Sequence, residues 1–86
     1  MIDEASYVFR RNLYEKLKSK IFGKIFCRVV NEDELFIHIS RNDGTNFRMF
    51  IPNLSSRIWS GYSTDDAMYE VLTEYKKHVM RQHFKM

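Results

Sequence analysis

The chain is poor in the residues that bend, break or cross-link a backbone. Its 86 residues include one proline, three glycines and one cysteine. A lone Cys27 excludes an internal disulfide and fits a reducing compartment. So little proline and glycine, with no biased tract, excludes linker, repeat and low-complexity classes. The apolar runs are strand-sized, too short to cross a bilayer, so no membrane role is expected. The opening "MIDEASYVFRR" is acidic and amphipathic and lacks the basic region and apolar core of a secretory signal. A cytoplasmic chain is the expectation.

Catalytic signatures are also scarce. There is no glycine-rich phosphate loop, no CxxC pair and no carboxylate dyad. Cys27 falls at an inward strand position and reads as a small buried hydrophobe, while His38 falls on the opposite face and cannot act as its base. His78 and His83 are separated by about 140° on a helix, so they cannot grip one metal as a four-residue spacing would. No enzyme, no cofactor, no metal and no small-molecule substrate are expected.

What is present is an ordinary globular composition, 44% hydrophobic and 29% charged, which sets one α+β domain over residues 1–86. The first helix is predicted over residues 3–20, where Ile2, Ala5, Phe9, Leu13 and Leu17 recur at three- and four-residue spacing and Gly23 ends the run. Strands follow at 24–30, 34–40 and 46–51, rich in Ile, Val and Phe. "NLSSRIWSG" gives a short helix capped by Asn53 and closed by Gly61. "STDD" opens the last helix with a capping box of Ser63 and Asp66. Met68, Val71, Leu72, Tyr75 and Val79 form its inward stripe, leaving Tyr69, Met80 and Phe84 outside it. The order α-β-β-β-α-α predicts a two-layer sandwich, a three-stranded antiparallel sheet with both long helices on one side.

The turns set the register. A three-residue "NDG" loop with Gly44 left-handed pairs Ile39 with Phe47, Ile37 with Met49 and Leu35 with Ile51. The "NED" closure keeps that parity, setting Val29, Cys27 and Ile25 opposite Leu35, Ile37 and Ile39. These residues make the core face. The other face then carries one row of Arg28, Phe36 and Phe50 and a second of Phe26, His38 and Arg48.

Those six residues are the first candidate partner-binding surface. Residues 53–62, with Leu54, Ile58 and Trp59, could fold over it; a second copy could cover it; or single-stranded nucleic acid could stack on it. A ridge on the first helix, Tyr7, Arg11, Tyr14 and Lys18, is the second candidate, suited to a phosphate backbone or an acidic protein. The net charge of +3 is mild, and acids near helix starts with bases near helix ends account for much of its distribution.

The α-β-β-β-α order resembles the double-stranded-RNA-binding domain in topology. That family has a basic start to its last helix and a Gly-Pro-x-His-like first hairpin loop. Here "STDDAMYE" and "NEDE" stand in those places, so the resemblance implies the topology and not the function. In element order, size and the texture of "GYSTDDAMYEVLTEYKKHVMRQHFKM", the chain is similar to small uncharacterised proteins of Gram-positive phages and mobile elements, some of them anti-CRISPR proteins. This resemblance implies a phage or mobile-element origin and a host-takeover or counter-defence role through a host protein. The DNA mimics among anti-CRISPR proteins are strongly acidic, and this chain is basic. The expected function is a small interaction module acting through protein contacts, as a homodimer or on a host protein, with nucleic-acid binding as the alternative.

Overall fold

The computed structural model describes residues 4–84; the predicted helix positions 2 and 3 lie outside that range, as do the side chains of His83 and Phe84. The elements are α1 (Glu4–Lys18), β1 (Lys24–Val30), β2 (Glu34–Ser40), β3 (Asn46–Ile51), α2 (Leu54–Trp59) and α3 (Thr64–Phe84). The sheet is antiparallel in the order β1-β2-β3, and α1 packs on both the sheet and α3. The α+β sandwich is as expected. None of the described helices is long and apolar enough to cross a membrane.

The register follows the turn chemistry. Ile25, Cys27 and Val29 pair with Ile39, Ile37 and Leu35, which pair in turn with Phe47, Met49 and Ile51. The hairpin closes through Arg41 and Thr45 (2.9 Å), with Asp43 accepting from the Thr45 amide (2.9 Å). Gly44 has φ +89°, the left-handed conformation this loop requires. The inner face meets Phe9, Leu13 and Leu17 of α1 and Ala67, Met68 and Val71 of α3 in a continuous core. Leu13, Leu17, Leu35, Ile37, Ile39, Ile51 and Val71 are fully buried.

Four expectations are corrected. The first helix ends at Lys18 and not at residue 20, where the Lys20 amide turns back three residues to the Leu17 carbonyl (3.0 Å) in a tighter final turn. Gly23 therefore opens β1 rather than stopping the helix. Ala5 is exposed, and Ser6 takes the buried position because α2 approaches there and Ser55 Oγ lies 3.1 Å from Ser6 Oγ. Asn53 stands at the start of α2 but makes no side-chain cap bond, since its backbone is left-handed at φ 52°. A capping side chain reaches its amides from a β-region backbone, which Asn53 lacks. Finally, residues 53–62 do not cover the outer sheet face. Leu54 is fully buried in the core, and α2 packs beside α1.

The cap of α2 comes instead from the β1–β2 turn. Asn31 and Glu32 are both left-handed, at φ 49° and 68°. That conformation presents Asp33, whose carbonyl accepts the Leu54 amide (2.6 Å) and whose carboxylate accepts the Ser55 amide. Two orphan amides are thereby satisfied from a residue far away in sequence. Asp33→Ala is expected to cost about 0.5–2 kcal/mol, the usual loss for a helix N-cap. Thermal unfolding checks it: a lowered midpoint supports the cap, and an unchanged one contradicts it.

The other helix ends form as predicted. At the end of α2 the Tyr62 amide reaches the Arg57 carbonyl (2.9 Å) and the Gly61 amide the Ile58 carbonyl (3.0 Å), a Schellman closure. At the start of α3, Ser63 Oγ accepts from the Asp66 amide (3.1 Å) and Asp66 accepts from the Ser63 amide (3.0 Å). These bonds hold the Asp66 carboxyl below its ordinary range.

Candidate functional site

Strict alternation along three strands leaves the outer face with the predicted composition. Arg28, Phe36 and Phe50 pair across one rung, and Phe26, His38 and Arg48 across another. Phe36 sits between Phe26 (centroids 6.1 Å, edge-on) and Phe50 (5.0 Å, tilted), with His38 at 6.3 Å. These separations lie in the range where aromatic pairs attract. The cluster is self-supporting but uncovered: Phe26 is 49% and Phe50 52% exposed.

Polar neighbours orient the rest of the face. Asn46 donates from Nδ2 to the Gly44 carbonyl (3.1 Å), which fixes its amide, and its Oδ1 accepts from Ser40 Oγ (2.8 Å). His38 Nε2 lies 3.3 Å from the same oxygen. That oxygen can only accept, so the ring nitrogen carries the hydrogen in this contact. Arg28 and Arg48 are exposed and make no hydrogen bond or ion pair among the described residues. Other bases are engaged: Lys16 pairs with Asp65 (2.9 Å), Arg41 with Asp43 (3.3 Å), and Arg10 donates to the Cys27 carbonyl (3.4 Å).

The helix ridge does not stay together. Tyr7 and Arg11 share a shallow hollow with Glu4, Val8 and Arg10. Tyr14 and Lys18 join the sheet instead, walling an open cleft of about 600 Å³ with Lys24, Phe26, His38 and Ser40. The Lys18 ammonium stands 5.8 Å from the Tyr14 ring centroid. A second hollow of about 340 Å³, lined by Arg28, Val30, Asn31, Phe36 and Phe50, lies at the far end of the same face. Two surfaces that the sequence separates are therefore partly one.

Two features escape sequence reading. Phe22, 98% exposed, immediately precedes Gly23, which lines the larger cleft. Its signal was an aromatic in a lysine-flanked turn, outside any periodic run. The second is a polar cluster between α2 and α3. Glu70 accepts from Arg57 (2.6 Å) and from the Tyr62 hydroxyl (2.7 Å), while the Arg57 guanidinium lies 3.8 Å from the Tyr62 ring centroid and Tyr62 stacks on Phe9 (5.6 Å). Burial works to raise the Glu70 carboxyl, but the bonds from Arg57 and Tyr62 outweigh it and hold it below its ordinary value. Burial, and then the bond to Glu70, push the Tyr62 hydroxyl up. The group pins α2 to α3 and so belongs to the scaffold.

Cys27 is buried, and burial pushes its thiol up to about 11 against the opposing pull of Arg10. A thiol so protonated is a poor nucleophile. Among the described residues no group of His, Cys, Asp and Glu side chains could hold a metal ion. No family model, curated protein or solved structure matches the chain.

Proposed function

We propose that this chain is a small non-enzymatic interaction module whose outer sheet face docks an anionic macromolecule. One observation carries the reading: Phe26 and Phe50 stand half-exposed on either side of the partly buried Phe36, with Arg28 and Arg48 beside them and unpaired among the described residues. An exposed apolar patch rimmed by cations marks an interaction surface. Arginine and aromatics together are the residues enriched where proteins bind partners.

Charge weighs against a second copy as the partner. Face-to-face packing would bury Arg28 and Arg48 of both copies, with Glu34 the one acid among the described residues of the face and already accepting from Asn31 Nδ2 (3.2 Å). An anionic partner answers the charge.

Heparin, as a generic polyanion, gives the direct test. Calorimetric titration should detect binding to the wild-type chain, and Arg28→Gln with Arg48→Gln should weaken it several-fold at unchanged helical content. Sedimentation should show a monomer. Absence of binding to heparin and to every other polyanion, or a dimer that Phe36→Asp dissociates, would contradict the reading.

A further inference from the structure

We propose that the occupant is single-stranded nucleic acid, its bases stacked on the Phe26–Phe36–Phe50 cluster and its backbone turning at β1 into the cleft walled by Tyr14 and Lys18. This inference rests on the module reading above and names its partner.

Geometry separates a single strand from the other polyanions. Stacking needs aromatic rings open to solvent along the path of the strand. Phe36 and its two neighbours supply a platform on which both flanking rings are half-exposed. A duplex hides its base faces and would meet this platform only with phosphates, leaving the rings unused. An acidic peptide could satisfy the cations, but its side chains give three clustered phenylalanines little to stack on.

The cations follow a track that a phosphate backbone could take. Arg28 lines the hollow at one end of the face, and Lys24 and Lys18 line the cleft at the other, with Arg48 between on β3. Among the described residues, no acidic side chain lines either depression. The larger one continues past Phe26 and His38 to Tyr14 on α1, so the path does not end at the sheet margin. Phe22 beside it offers one more uncovered ring. β1 spans about 20 Å at ordinary strand rise. Together with the cleft it accommodates on the order of four nucleotides, the small end of single-strand binding sites.

The experiment is a fluorescence-anisotropy titration with a labelled oligodeoxyuridine and a labelled oligouridine, each at two salt concentrations. A duplex of equal length, inorganic polyphosphate, heparin and an acidic peptide serve as competitors. The expected result is single-strand binding tighter than about 100 μM, the weak end of non-specific affinity, and tighter than that of the duplex. Phe36→Ala should weaken it about tenfold, within the range for loss of a stacking ring. Because Phe36 is half-buried, the exposed Phe26→Ala and Phe50→Ala give the same reading with less risk to the fold, checked by thermal midpoint. Lys18→Gln with Lys24→Gln should lower the salt slope by about 1.4, the single-strand value for two lost phosphate contacts. Comparable affinity for the two oligonucleotides means recognition of bases and phosphates; a strong preference for uridine would extend the proposal to the 2′-hydroxyl. If heparin binds but the single strands do not, or if polyphosphate competes equally and the phenylalanine variants change nothing, the proposal is overturned and the module reading stands. Tighter binding of the acidic peptide also overturns it, in favour of a protein partner. If neither heparin nor any strand binds, both readings fail.

Discussion

Ile37→Ala is expected to cost about 2–5 kcal/mol, the range for truncating a fully buried aliphatic side chain. Ile37 is 0% exposed at the middle of the central strand, between Cys27 and Met49. A domain of this size has total stability of roughly 4–13 kcal/mol, so the variant stands near the edge of folding. Phe50→Ala, on the opposite face of the neighbouring strand, should stay within about 1 kcal/mol, because it loses a cross-strand contact and creates no cavity. Urea unfolding of the two variants measures the asymmetry of the sheet. Equal losses would mean that the outer face is as structural as the inner one.

Gly23→Ala is the second large effect. The backbone at Gly23 has φ +147°, and a Cβ there would lie 2.6 Å from the Ser40 carbonyl oxygen. That oxygen belongs to the first rung of the ladder, where Lys24 pairs with Ser40, so relief requires the rung itself to move. A loss of about 1–3 kcal/mol is expected from the backbone strain alone. For a domain of this length each kcal/mol lowers the thermal midpoint by roughly 4–8 °C. Gly44, also left-handed at φ +89°, would meet nothing within 4 Å and therefore carries only the conformational cost. A Gly23→Ala protein as stable as wild type would show that the β1 entry is not tight.

These contrasts indicate what the sequence could carry. The register was legible because the loop length at "NDG" and the parity of Ile, Val and Phe agree, and a one-residue slip would turn Ile39 and Ile37 outward together. Each face of the sheet followed from that, and so did the Phe and Arg rows. The destination of residues 53–62 was not legible. Leu54 and Ile58 suit either sheet face, and the choice is made by Asp33, which captures the first amides of α2 from a distant turn. Local periodicity carries no trace of such a bond. The Arg57–Glu70 pair is hidden for the same reason, since it joins two helices that share no heptad or strand register. Helix phase misled at Ala5 and Ser6, where both residues are small and only the approach of Ser55 decides between them. Within the candidate site, the sequence placed Tyr14 and Lys18 on a separate surface because the crossing of α1 over β1 is a tertiary quantity.

The most direct test of the central claim is an amide-resolved NMR titration of the folded chain with a short single-stranded oligonucleotide. Shifts are predicted to concentrate in β1, at Phe36 and His38 of β2, at Arg48 and Phe50 of β3, and at Tyr14 and Lys18 of α1. The exposed flank of α3 around Tyr69 should remain unperturbed. Shifts confined to α3, or no shifts while the outer phenylalanines stay solvent-exposed, would contradict the assignment of the sheet face as the binding surface.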